Sequence, residues 1–152
     1  MKQSFFILLI LMSVVFISAT SCNKDNENIN IENNNPMANG KIKIRVNSQT
    51  FSATLLDNTS AKAFKEMLPL TISMTELNGN EKYYDFPNNL PINSSNPGTI
   101  KNGDLMLYGS KTLVLFYKSF STSYSYTKLG TIDDVTGLAS ALGSGNATVT
   151  FE

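Results

Sequence analysis

From Lys41 onward, apolar and polar residues alternate. Ile42, Ile44 and Val46 are separated by Lys43 and Arg45, and Phe51, Ala53 and Leu55 by Ser52 and Thr54. A period of two places one face of each run in a core and the other in water, and the intervening Asn47-Ser48 predicts a hairpin. The period then changes. In NTSAKAFKEMLP, Ala63, Phe64, Met67 and Leu68 share one helical face, while Lys62, Lys65 and Glu66 face solvent. Asn58 is a suitable N-cap for that helix and Pro69 its stop. Leu70, Ile72 and Met74 restore the alternation, Asn78-Gly79-Asn80 turns the chain, and EKYYDF supplies another strand. Pro87, Pro91 and Pro97 mark residues 87–103 as a long loop. DLMLYGSKTLVLFYKSF reads as two strands around Gly109-Ser110, the second apolar on both faces and therefore central. YTKLGTI is a further strand. DDVTGLASALG is a second helix, with an Asp cap, a stripe of Val135, Leu138 and Leu142, and Gly143 as its end. NATVTFE closes the chain as a strand through Ala147, Val149 and Phe151.

Ahead of this domain the pattern is different. Phe5 to Ile17 is apolar except for Ser13, Lys2 precedes it, and Ser18 to Ser21 are small. A basic start, a short apolar run and a small-residue exit describe a secretory signal peptide over residues 1–21. The run is too short for a membrane span, which needs roughly 20 apolar residues. Cys22 is the chain's single cysteine, so it cannot close a disulfide within the chain. ATSC resembles the bacterial lipobox, with Ala19 where Leu is usual, and this resemblance implies that Cys22 carries a lipid anchor in a membrane leaflet. Residues 22–40 are rich in Asn and nearly free of large apolar side chains, the composition of a flexible tether. The acidic Asp25, Glu27 and Glu32 behind the cysteine resemble the surface-export signal of Bacteroidota lipoproteins. The expected location is the outer membrane or cell surface, and residues 41–152 are the one folded domain, expected to be a monomer.

Charge and composition remove several function classes. Lys and Arg total 12, as do Asp and Glu, and no basic patch stands out, so nucleic acid is not an expected partner. The chain has no His, which removes the usual nucleophilic triads and any His-based metal site. No metal or other cofactor is expected. Asp133-Asp134 reads as a helix cap with favourable charge at a helix N-terminus. Glu81 and Asp85, flanking Tyr83-Tyr84, read as solvated strand carboxylates.

The motifs NGNEKYYDFP, NPGTIKNGDL, GDLMLYG, LVLFYKSF and LGTIDDVTGL, in this order, resemble the cyclophilin-like proteins of bacteria. The resemblance covers roughly Lys41 to Glu152 and implies a mainly β fold, a closed eight-stranded barrel with two helices capping its ends. Cyclophilins catalyse prolyl cis–trans isomerisation, and the resemblance implies an Arg, on a strand after the first helix, beside the proline amide, followed by a Gln-Gly pair. The matching stretch here, LTISMTELNGNEKYYDFP, has no Arg, His or Gln, and the chain's one Arg is Arg45. Lys82, a hydrated point charge, does not replace a planar guanidinium fork. The expectation is a domain without chemistry.

Aromatic residues then carry the candidate site. Tyr gives contact area with a polar tip. Tyr83, Tyr84, Phe116, Tyr124 and Tyr126 lie in the half of the domain where the resemblance implies a groove, and they are the candidate ligand-binding residues. Phe116 is also a candidate for core, since its strand is central, whereas Tyr124 and Tyr126 sit in the Ser-rich SFSTSYSYTK. The reading is an anchored lipoprotein whose barrel binds a peptide or small ligand. The alternatives are a divergent prolyl isomerase of the envelope and a glycan-contacting accessory protein.

Overall fold

A computed structural model describes residues 40–152. The expected signal peptide, Cys22 and the expected tether up to Asn39 lie outside the described residues. The first hairpin joins β1 (Lys41–Val46) to β2 (Gln49–Leu55), with Val46 opposite Gln49 and Asn47 at a positive φ of 54°. Asn tolerates that left-handed conformation, which a two-residue turn between twisted strands requires. Helix α1 (Thr59–Lys65) follows, and the Asn58 side chain accepts from the Ala61 N–H at 2.8 Å, as an N-cap does. β3 (Leu70–Leu77) and β4 (Glu81–Asp85) form the next antiparallel pair.

The long connection after β4 is only partly irregular. It contains β5 (Thr99–Ile100), a short strand that the prolines and Asn residues of the loop conceal. β6 (Asp104–Tyr108) and β7 (Thr112–Phe116) make a tight hairpin, and β8 (Phe120–Ser121) pairs back with β5 as a separate two-stranded layer. β9 (Tyr126–Ile132), α2 (Leu138–Leu142) and β10 (Ala147–Phe151) complete the chain. Eight strands close in the order β1, β10, β3, β4, β7, β6, β9, β2, every pair antiparallel. The fold is mainly β, a closed eight-stranded barrel with two helices. Closure leaves the main sheet without a free edge. At the β2–β9 seam, a Cβ on Gly130 would lie 2.5 Å from the Thr54 carbonyl oxygen, so only glycine admits this approach.

Alternation assigns the faces. Ile42, Ile44, Val46, Ala53, Leu55, Ile72, Met74, Leu105, Leu107, Leu113, Leu115 and Val149 fill the barrel. Phe64 of α1 closes one end, packing edge-on against Phe151 at 5.5 Å between ring centroids. Leu138, Ala141 and Leu142 of α2 are buried at the other end, where the Asn47 side chain donates to the Ala141 carbonyl. Helix α2 is shorter than its sequence suggests, and it is not capped by Asp. Gly137, with φ 82°, precedes it and offers no side chain. Asp133 instead accepts from Lys41 at 2.8 Å and from the Thr54 hydroxyl at 2.6 Å, tying the end of β9 to the first hairpin. Asp134 accepts from the Thr136 N–H in a local turn.

β7 is buried on both faces, as a central strand requires. Its inner face carries Leu113 and Leu115; its outer Val114 and Phe116 join Ile100, Met106 and Tyr126 in a second apolar cluster outside the barrel wall. Partly buried Tyr83 and Phe120 pack against this cluster.

Candidate functional site

The outer cluster forms one side of a groove of about 360 Å³ on the barrel wall. β4 contributes Glu81, Tyr83 and Asp85, which period two places on its outer face. They pair across to Phe116, Val114 and Thr112 of β7, so one register fixes both sides of the floor. Tyr108, at the end of β6, lies opposite Tyr126, the first residue of β9. Tyr124 completes the wall, its ring 6.1 Å from that of Tyr108 and at 86° to it. Tyr108 and Tyr126 meet at 5.5 Å and 51°. Leu77 and Asn78, at the β3–β4 turn, also line the groove.

Two observations mark this surface. Four of the chain's six tyrosines, Tyr83, Tyr108, Tyr124 and Tyr126, line one groove. Of the large apolar side chains left exposed among the described residues, Leu56, Leu77, Ile92, Tyr108 and Tyr124, three belong to it: Leu77, Tyr108 and Tyr124. A concave site with aromatic walls and a few polar groups is the ordinary form of a ligand pocket.

The groove's charge is of one sign. Glu81 and Asp85 line it, and no Lys or Arg does. Asp85 accepts from the Thr112 hydroxyl at 2.6 Å. Glu81 is half-buried, without a hydrogen-bond or ion-pair partner among the described residues. It is therefore not the solvated carboxylate its strand position suggests. Burial pushes its carboxyl above the ordinary range, and the Glu76 charge adds to this. Burial likewise raises the Tyr126 phenol, with the Glu81 charge as a further cause.

The scan of family models gives this architecture its relatives. The model described as the cyclophilin-like family matches residues 44–152, from within β1 to the end of the chain. The chain belongs to the cyclophilin-like family. No curated protein is matched by it.

Within this cyclophilin-like barrel the five aromatic candidates separate. Tyr83, Tyr124 and Tyr126 meet at the groove. Tyr84 does not reach it: one residue along β4 from Tyr83, it faces inward and packs against Phe86 at 5.6 Å. Phe116 is fully buried beneath the surface, edge-on to Tyr126 at 5.6 Å, and supports the wall without being exposed in it. Sequence reasoning places Tyr108 in the same half of the domain but does not select it as a candidate. Its signal was its place just before the Gly109 turn, on a strand whose Leu105 and Leu107 face in.

Lys82 also requires correction. It is not a hydrated charge near the groove but is fully buried, pointing into the barrel end opposite α1. There its ammonium pairs with Glu76 and donates to the carbonyls of Gly143 and Gly145, just after α2. The Tyr117 hydroxyl donates to the same carboxylate at 2.8 Å, and the Lys82 ammonium lies 5.3 Å from the Tyr117 ring centroid. Burial pushes Glu76 upward, but hydrogen bonds from Lys82, Tyr117 and the Gly79 N–H, with the Lys82 charge, outweigh it and hold the carboxyl below its ordinary value. Burial, helped by the Glu76 bond, pushes Tyr117 up to about 12. This network closes the barrel end, and it reaches the groove through the Glu76 charge, which acts on Glu81. Among the described residues no group of His, Cys, Asp or Glu is arranged to hold a metal ion.

Proposed function

We propose that this chain is an envelope lipoprotein, acylated at Cys22, whose cyclophilin-like domain binds an extended peptide or small ligand in the tyrosine groove and catalyses no reaction on it. The observation that carries the binding reading is the convergence of Tyr83, Tyr108, Tyr124 and Tyr126 with exposed Leu77 on one concave surface. Folding alone gives no reason to leave Tyr108, Tyr124 and Leu77 exposed together, since burial would be worth ~25 cal/mol per Å² of apolar area. The non-catalytic half rests on what lines the groove. Prolyl isomerisation requires weakening amide resonance across a barrier of about 18–20 kcal/mol. No guanidinium, imidazole or carboxamide donor other than Asn78 lines the groove, and its charges are carboxylates. Such a site can bind a ground state, but binding both states equally leaves the bound step unaccelerated.

The anchor reading rests on the short apolar run, the small residues before Cys22 and the Asn-rich segment after it. Two acyl chains would hold the protein at a membrane, at ~0.8 kcal/mol per buried methylene. Metabolic labelling with a fatty-acid analogue tests it. Label is expected in the parent and absent from Cys22→Ala, which is released from membranes or left unprocessed. Equal label in both would remove the lipoprotein reading. Binding is tested by a panel of extended peptides and soluble glycans against the parent and Tyr108→Ala. Loss of an aromatic anchor is expected to weaken a true ligand by about tenfold or more, and a ligand indifferent to this change does not use the groove.

A further inference from the structure

The groove combines tyrosine rings with carboxylates and excludes basic side chains, and this combination selects the charge of its occupant. Glu81 has no hydrogen-bond or ion-pair partner among the described residues, although it is half-buried on the groove floor, between Leu77 of β3 and Phe116 of β7 in the sheet. Leaving a carboxylate partly desolvated and unpaired costs stability unless something else supplies the counter-charge. The rings are equally without a cation. The cation–π contacts within the described residues, from Lys82 and Lys118, both go to Tyr117, outside the groove. Tyr108, Tyr124 and Tyr126 stand at steep angles to one another, 86° and 51° for the two Tyr108 pairs. They therefore do not stack face to face; Tyr126 is buried, and the ring surface open to a guest is that of Tyr108 and Tyr124, 46% and 61% exposed. Asp85 adds a second negative charge farther along β4.

Resting on the reading of this groove as a ligand site, we propose that its occupant is a cation on an apolar stem: a lysine or arginine side chain of an extended polypeptide. The stem lies along Leu77, Val114 and the tyrosines, the charged head meets the ring faces, and Glu81 neutralises it. Tyrosine faces attract an ammonium or guanidinium by ~0.5–2 kcal/mol each, more as water is excluded. A half-buried carboxylate adds a charge-assisted hydrogen bond. The groove's polarity is thus the reverse of the one the resemblance implies, where the essential charge is a guanidinium.

The test uses the full-length chain. It has no Trp, and four of its six tyrosines line the groove, so a change in tyrosine emission that is lost in Tyr124→Leu reports on the groove. Three probes are titrated at low salt: a blocked Ala-Lys-Ala peptide, the same peptide acetylated on the lysine Nζ, and n-butylammonium. The lysine peptide is expected to bind about tenfold tighter than its acetylated twin, a preference that shrinks at high salt. Glu81→Gln is expected to reduce that preference severalfold while the protein remains folded. Tyr124→Leu, at an exposed position, should weaken the lysine peptide while leaving the melting temperature unchanged. Equal binding of the two peptides overturns the inference but leaves the groove a ligand site. Butylammonium binding as tightly as the lysine peptide overturns the choice of a polypeptide. If no peptide of any charge binds, the inference falls, and the ligand reading falls with it if butylammonium and the soluble glycans also fail to bind. An unchanged lysine preference in both variants would place the cation elsewhere.

Discussion

Lys82 shows how a residue's meaning depends on the parity of its strand. One position either side of it, Glu81 and Tyr83 face the groove; Lys82 itself faces the closed barrel end, fully buried against Glu76. Lys82→Met fills similar volume but strands the Glu76 carboxylate, with Tyr117 as its remaining side-chain donor. A loss on the order of 3 kcal/mol in urea unfolding is expected, and a Lys82→Met, Glu76→Leu pair should recover much of it. The pH dependence has a definite sign. Glu76 is held below 4.5, so its contribution is present above the unfolded value and is lost as pH falls through the folded one. Tyr117 is raised from 10.0 to about 12, so its contribution is complete below 10.0 and is lost as pH rises toward about 12. Glu81 has the opposite effect to Glu76. Its carboxyl is raised above 4.5, so stability falls as pH rises from there through the folded value. Glu81→Gln is therefore expected to raise stability at neutral pH, with the gain gone below about 4.5, while ligand affinity drops. A variant that is more stable and binds less well is the behaviour of a binding residue; a variant that loses stability at neutral pH would make Glu81 structural.

Among the elements, the strands were the most legible and the coverings the least. Alternation at Ile42 to Val46 and Ala147 to Phe151 has one buried face, so the pattern is visible without its partner strands. Phe64 was equally legible from its helical face, and Phe64→Ala is expected to cost ~3–5 kcal/mol in equilibrium unfolding, because its ring meets Phe86 and Phe151 and nothing can collapse into the space. Helix α2 is shorter than its sequence suggests because Asp133 resembles a cap. A side chain from a distant strand, Lys41, claims it instead, and local sequence carries no trace of that. β5 and β8 are two residues each, and no periodicity exists over two residues. The groove was half legible for a related reason. Tyrosine content named the region, but choosing Tyr83 over Tyr84, and finding Tyr108, needs the register that sets which parity faces out.

At the scale of the molecule, the family match and the closed barrel coincide over residues 44–152. Gly40 already belongs to this unit, since its carbonyl accepts from the Leu55 N–H at 2.7 Å. A chain trimmed to start at Gly40 is expected to unfold cooperatively with a stability within about 0.5 kcal/mol of the full chain, and a larger loss would mean that the preceding residues pack on the barrel. The barrel places its inner face, both helices and the Lys82 network in stability, and leaves the β4–β7–β6 wall open to a ligand. The most direct measurement of that division is NMR of the ring-labelled tyrosines during titration with a panel of X-Pro peptides that also carry a lysine, with peptide cis–trans exchange recorded in the same samples. The account predicts shifts at Tyr83, Tyr108, Tyr124 and Tyr126, none at Tyr84 or Tyr117, and peptide exchange no faster than without protein. Exchange cross-peaks at catalytic protein levels, or saturating ligand shifts that leave the four groove tyrosines unmoved, would contradict it.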